Sequence, residues 1–194
     1  MRIVGGSLRG RRLVAPPGAA IRPTADRARE ALFNILQHSL LMTAPLAGSA
    51  MLDVFAGTGA VACEALSRGA ASAVLIDSDR AALACARHNL EALGLADRAT
   101  LLQLDATKLP PAASPARFAY LDPPYRSGLA APALASLAGG GWLAPRALVV
   151  VELATRGEEF SPPDRFTVRD ERRYGAARLV FLTASDPPPK ENRP

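Results

Sequence analysis

From residue 50 onward, short apolar runs alternate with longer amphipathic stretches, and this rhythm predicts strands alternating with helices. Residues 51–54, 73–76, 100–104, 118–121 and 147–151 have the length and composition of strands. Residues 60–68, 80–93 and 129–138 carry helical patterns between them, and Gly94 closes the second. Two further apolar segments, 166–169 and 178–182, complete the set. Such spacing implies an open, mostly parallel sheet with helices on both faces. Ahead of it, residues 1–14 alternate weakly around Gly5, Gly6 and Gly10, which suits a short hairpin or arm. Residues 15–18 read as a turn. A helix is expected over about 25–38, with Thr24 as N-cap and Ala28, Ala31, Leu32, Ile35 and Leu36 as its apolar stripe. The chain thus divides into a basic N-terminal extension (1–42), a main α/β domain (43–184) and a disordered tail (185–194).

Charge changes this picture. The net charge is +5, but residues 1–29 hold seven arginines against Asp26. The other 165 residues carry 16 basic and 17 acidic side chains, so the excess lies entirely in the extension. Clustering of this kind suggests a polyanionic partner. Arg2, Arg9, Arg11, Arg12, Arg22 and Arg27 are the candidate contacts there. Composition also limits the classes available. No apolar run approaches the ~20 residues of a membrane span, and no secretory leader is visible. Cys63 and Cys85 fall in helical stretches without a CxxC partner, as reduced thiols would. With His38 and His88 the only histidines, no metal site is expected, and the reading is a cytoplasmic protein.

Four motifs sit at consecutive strand ends. Asp53-Val54-Phe55-Ala56-Gly57-Thr58-Gly59 joins the first strand to its helix, and its glycines allow a tight turn beside a ligand. It lacks the Gly-Lys-Ser/Thr of a P-loop and the third glycine of a dinucleotide fingerprint. Asp77 and Ser78 end the second strand, where an acid can accept both ribose hydroxyls of an adenosyl group. Asp79 reads as a helix cap. Asp105 and Ala106 follow the third strand, where a carboxylate can meet an adenine amino group. Asp122-Pro123-Pro124-Tyr125 follows the fourth. Two prolines stiffen that turn and remove two backbone donors, leaving carbonyls, a carboxylate and an aromatic ring to face a ligand.

In this order the motifs resemble those of class I methyltransferases that modify exocyclic amino groups. Arg2–Gly6, the run Arg22-Pro23-Thr24-Ala25-Asp26-Arg27-Ala28-Arg29-Glu30-Ala31-Leu32-Phe33-Asn34, Arg126-Ser127-Gly128-Leu129 and Gly141-Trp142-Leu143 are similar to the RsmD family. Its members are bacterial guanine-N2 methyltransferases acting on small-subunit (16S) ribosomal RNA. The resemblance covers about residues 1–183. It implies a Rossmann-like seven-stranded sheet, mostly parallel, with an antiparallel last strand. It implies S-adenosylmethionine as donor, S-adenosylhomocysteine as product and no metal. Cofactor contacts are then expected from Asp53, Phe55, Gly57, Gly59, Asp77, Ser78, Asp105 and Ala106. Catalytic contacts are expected from Asp122, Pro123, Pro124 and Tyr125, with Arg126 joining the arm arginines on RNA. The partner is ribosomal RNA, free or within an assembling small subunit, met by a monomer away from any membrane. Three other readings stand beside this one. A DNA or RNA adenine-N6 methyltransferase uses the same turn, but the DNA enzymes usually carry a separate recognition domain. A protein glutamine-N5 methyltransferase leaves the basic arm unexplained and prefers Asn at position 122. A catalytically dead RNA-binding module does not need all four motifs intact.

Overall fold

The structure, a computed structural model, describes residues 1–15, 23–38, 41, 42 and 44–185. Residues 16–18 of the expected turn, Arg22, the side chain of Thr24 and the tail beyond Ser185 lie outside the described residues. Twelve elements follow one another in the described chain. They are α1 (Pro23–His38), β1 (Ala50–Val54), α2 (Ala60–Ser67), β2 (Ser72–Asp77), α3 (Arg80–Ala92), a 3-10 turn (Ala96–Arg98), β3 (Ala99–Gln103), β4 (Ala116–Leu121), α4 (Ala130–Gly139), β5 (Leu143–Ala154), β6 (Phe166–Tyr174) and β7 (Ala177–Ala184). The strands form one sheet in the order β3-β2-β1-β4-β5-β7-β6. β1 to β5 run parallel, and β7 inserts antiparallel between β5 and β6.

Parity along the strands explains the layering. Met51, Phe118, Tyr120, Leu148, Val150, Leu179 and Phe181 join one buried cluster with Ile3, Phe33 and Leu66. Their neighbours Leu52, Val54, Ala119, Leu121, Val149, Val151, Val180 and Leu182 join a second with Leu134, Leu137 and Trp142. Successive side chains point to opposite faces, so a sheet covered on both sides needs unbroken apolar runs. The arm, α1, α2 and α3 cover the first face, and α4 covers the second.

Two strands run further than their apolar centres suggest. β5 begins at Leu143, ahead of Pro145 and a left-handed Arg146 (φ 56°), and its register with β4 shifts there. β6 continues through Asp170-Glu171-Arg172-Arg173, because an edge strand with one solvated face tolerates charge.

The arm is a hairpin. Ile3 N donates to Arg11 O (2.9 Å) and Gly10 N to Ile3 O (2.9 Å). It is fastened to α2 and α3: Val4 N donates to Glu64 Oε2 (2.8 Å), Leu8 N to Ser67 Oγ (3.0 Å) and Val14 N to Asn89 Oδ1 (2.8 Å). Ile3 and Leu13 are buried. Arg29 is buried too, donating to Arg2 O (2.6 Å) with Nε 3.7 Å from Glu64. One of the seven arginines that made the extension basic is therefore an internal strut rather than surface charge.

Candidate active site

β1 and β4 are neighbours, yet the chain leaves them in opposite directions across the sheet, to β2 and to β5. A crevice opens outside the strand ends at such a switch point, and open α/β sheets bind ligands there. Asp122 N donates to Val54 O (3.2 Å), so the two end loops start side by side. The loop after β1 turns through left-handed residues at Phe55 (φ 60°), Gly57 (φ 53°) and Gly59 (φ 70°). At Gly59 a Cβ would lie 2.9 Å from Leu75 Cδ2, so glycine lets α2 start close against β2. At Gly57 a Cβ would meet nothing within 4 Å, leaving bare backbone toward open space. For Phe55, a bulky residue, the same φ is strain of a kind found at ligand sites.

Asp77 holds this loop from the end of β2. Its Oδ2 accepts from Gly57 N (2.8 Å) and its Oδ1 from Asp79 N (2.9 Å). Each oxygen retains a further lone pair. Asp79 caps α3 through Ala81 N (2.7 Å). Asp105 is placed differently. It is exposed at the end of β3, Oδ1 accepts from Thr107 N and Oγ1, and those bonds lower its pKa. Among the described residues, neither it nor the buried Ala106 lines the cavity formed by the other motifs.

That cavity has a volume of about 560 Å³ and is lined by Phe55, Asp77 and Ser78 on one side and by Asp122, Tyr125 and Glu152 on the other. Pro123 and Pro124 also border it. Parity gathers the acids. Asp53 pairs with Tyr120 across β1 and β4, Tyr120 pairs with Val150 across β4 and β5, and Asp122 and Glu152 lie two residues further along. All four polar groups therefore share the sheet face covered by α1 and α2. Glu152 accepts from Tyr120 Oη through Oε2 and from Tyr125 Oη through Oε1 (2.8 Å). Tyr125, 38% exposed, is thus a ring at the cavity mouth with a fastened hydroxyl.

Burial dominates the electrostatics. Asp53 is 2% exposed, and burial pushes its pKa up to about 7 against the opposing pull of Ala62 N–H. Asp77 raises it further and Arg29 lowers it. Asp122 is exposed at the cavity, yet its carboxyl faces Glu152 and the buried Asp53 and Tyr120 at the strand ends, where water is excluded from one side. That desolvation, then Glu152, then Asp53, holds its pKa well above the usual carboxylate range. A second pocket behind the first, about 190 Å³, brings Met1 and Arg29 beside Asp53, Asp122 and Glu152, so the arm reaches the site.

The Conserved hypothetical protein 95 family matches residues 1–183. The chain belongs to this family. It is 38% identical over 176 residues to ribosomal RNA small subunit methyltransferase D of Escherichia coli K12, covering 90% of this chain and 85% of that one. It is 32% identical over 179 residues to the Haemophilus influenzae protein of the same name, covering 90% and 89%. The solved Escherichia coli structure of yhhF matches it with TM-score 0.80 and 35% identity over 95% of this chain and 98% of that one. An RNA methyltransferase from Salinibacter ruber, solved with S-adenosyl-L-homocysteine, shares the fold at TM-score 0.65 and 16% identity, covering 89% and 100%. The architecture is that of class I S-adenosylmethionine-dependent methyltransferases, and the family resemblance read from the motifs holds.

The basic candidates of this family member divide by environment. Arg2, Arg9, Arg12 and Arg27 are exposed. Arg11 is exposed too but donates to Ala92 O (3.0 Å) at the end of α3. Arg126 sits beyond Tyr125 in a left-handed conformation (φ 60°), its N–H held by Glu158 Oε1 (3.0 Å). The motifs missed Glu152 and Tyr120. Glu152 had a legible signal, an acid closing the apolar run Val149-Val150-Val151, the same cue that marked Asp77.

Proposed function

We propose that this chain transfers a methyl group from S-adenosylmethionine to the exocyclic N2 amino group of a guanine in small-subunit (16S) ribosomal RNA. It would do so in the cytoplasm as a monomer, on RNA that is free or within an assembling small subunit. The observation carrying this reading is that Asp77 and the Asp122-Pro123-Pro124-Tyr125 turn line one cavity at the switch point. The named activity of the Escherichia coli and Haemophilus influenzae relatives supports the substrate class.

The residues fit the donor. It is a cation, and Asp122 in the cavity and Asp53 in the smaller adjoining pocket are carboxyls whose pKa values are raised first by burial, so an arriving cation would favour their charged forms. Asp77 and Ser78 would hold the ribose, and bare backbone at Gly57 leaves room for close approach. Asp53, Phe55 and Gly59 would shape the rest of the donor site. Asp105, beside Ala106, would reach the adenine amino group with Oδ2, the oxygen Thr107 does not take. When bound, the donor supplies a methyl group already activated on a sulfonium.

The chain's own work concerns the acceptor nitrogen, whose lone pair is delocalised into the base. Asp122 and the Pro123 carbonyl accept hydrogen bonds from the amino group and favour pyramidal nitrogen. Pro124 keeps that turn stiff. Tyr125 stacks on the base, worth ~1–3 kcal/mol, and Glu152 fixes its hydroxyl. The base must leave its own stack to enter. Alignment in a dry site supplies the remainder. Exposed arm arginines, with Arg126, would contact the RNA backbone; Arg22 is assigned with them on sequence alone.

Labelled-methyl transfer to small-subunit RNA and particles from cells lacking the activity, followed by nucleoside identification, tests the reading. N2-methylguanine is expected. Methyl-N6-adenine, or label on DNA alone, would move the protein to the adenine reading. Asp122→Ala should cost at least about a hundredfold in turnover with donor binding retained by calorimetry; a near-wild-type rate would remove Asp122 from the mechanism.

A further inference from the structure

Tyr125 is shared by two cavities. The second, about 610 Å³, is lined by Tyr125, Arg126, Thr155, Arg156, Gly175 and Ala176. Its volume lies within the ~300–1,000 Å³ of small-ligand sites. It is a built cavity. Thr155 N donates to Ala176 O (2.8 Å) and Thr155 Oγ1 to Gly175 O (3.0 Å), tying the end of β5 to the β6–β7 turn. Glu158, which is not itself a lining residue, braces two that are, accepting from Arg126 N (3.0 Å) and Ala154 N (2.6 Å), while Arg178 Nη2 donates to its carbonyl (2.8 Å). That clamp holds Arg126 in its strained left-handed conformation, and Arg126 Nη2 reaches Arg156 O (3.3 Å). Two arginines thus line the cavity, and among the described residues no acidic one lines it. Arg156 is exposed.

We propose that this cavity takes the nucleotide next to the target base in the RNA strand, with its phosphate against Arg126 and Arg156. The inference rests on the methyltransferase reading above. A base swung into the donor cavity stays joined to its neighbours through phosphodiesters. The neighbour on the far side of Tyr125 meets a concave, positively charged wall, while the donor side is lined with carboxylates that repel phosphate. Phosphate contacts set register without reading sequence, so the cavity fixes where the strand lies while Asp122 and Tyr125 engage the target. Glu158 couples the two, because one carboxylate links the Tyr125–Arg126 turn to the end of β5.

The test uses the full chain and small-subunit RNA from cells lacking the activity. Arg156→Ala should raise KM for RNA roughly tenfold, as a lost charge-assisted contact does, and flatten the salt dependence of binding by ~0.7–0.9 log units per decade of salt. Arg156→Lys should recover much of both, since it keeps the charge. Ala176→Trp, on the turn, should raise KM by filling the cavity and, because it displaces the phosphate, flatten the salt slope as well. Affinity for S-adenosylmethionine should not move in any of them. Wild-type methyl transfer combined with unaltered RNA KM in Arg156→Ala and Ala176→Trp overturns the cavity's role and leaves the function intact. A wild-type chain that binds donor but methylates no RNA overturns the function itself, and this assignment with it.

Discussion

Glu64, beneath the arm, and Asp53, in the small pocket that shares Asp122 and Glu152 with the candidate site, are both buried carboxylates near Arg29, but their surroundings differ. Glu64 Oε1 accepts from Arg68 Nε (2.7 Å), its Oε2 accepts from Val4 N (2.8 Å), and Arg29 Nε lies 3.7 Å away. Arg68 also lies over the Phe33 ring, 5.1 Å from its centroid. Asp53 accepts from Ala62 N–H (2.9 Å) and has Asp77 as a repelling neighbour, and burial first of all lifts its pKa to about 7. One region spends its cations on internal compensation and gains a fixed joint between arm and domain. The other leaves acids under-compensated where a cationic donor and an amino group would arrive. The cost of burying charge is the same physics in both, and its compensation marks which region is scaffold and which is site.

The most direct way to break this comparison is to remove the compensated acid. Glu64→Ala would leave two arginine side chains in a buried setting without their carboxylate, and Val4 N without its acceptor. A loss of about 3–5 kcal/mol is expected, the cost of breaking a buried ion pair from one side. Thermal or denaturant unfolding reads it; a change under about 1 kcal/mol would mean that the arm is held by Ile3, Leu13 and the Ser67 bonds instead.

Asp53→Asn tests the other side. The folded-state pKa of about 7 lies above the ordinary 3.8, so the fold holds a proton that the unfolded chain releases between those values. Its contribution is therefore fully present below about pH 4 and is lost as pH rises to about 7. Asparagine keeps an acceptor for Ala62 N and cannot ionise. The variant should gain roughly 2–4 kcal/mol over the wild type at pH 8 and little at pH 4. Equal pH profiles for the two proteins would show that Asp53 is compensated like Glu64.

Glu152→Gln separates positioning from bulk structure. Glu152 raises the pKa of Asp122 and fastens Tyr125. Removing its charge favours ionised Asp122, so the acid limb of the pH–rate profile should move to lower pH while turnover falls through looser stacking. A drop in turnover with the limb unmoved would assign Glu152 to the fold alone.

Most of the fold was legible because both sheet faces are buried, which makes strands read as unbroken apolar runs such as Val149-Val150-Val151. The extent of β6 was not, since its edge position hides it behind charge. The candidate site was legible where a motif ends a strand: Asp77 and Asp122 line one cavity, and Asp53 lines the smaller pocket that shares Asp122. What sequence spacing could not supply was pairing across the sheet. Glu152 meets Tyr120 and Tyr125, Arg29 meets Glu64, and Asp105 gives one of its oxygens to Thr107. Those are outcomes of register and packing between segments distant in the chain.

The smallest expected effect concerns the arm's surface, where the same arginine-rich sequence holds both scaffold residues and exposed ones. Arg29 is internal, and Arg11 satisfies a carbonyl in the last turn of α3. Replacing Arg11 would therefore mix a capping loss with any loss of RNA. Arg9 and Arg12 are exposed, so Arg9→Ala with Arg12→Ala is the cleaner pair. If both meet phosphates, RNA binding should weaken and its salt slope should flatten by ~0.7–0.9 log units per lost contact. Affinity for S-adenosylmethionine and thermal stability should stay as they are, because neither side chain takes part in the joint at Glu64 or the crevice at Asp77. A filter-binding titration at several salt concentrations reads the slope. An unchanged slope would leave the arm as scaffold throughout and assign RNA binding to the surface around Tyr125 and Arg126.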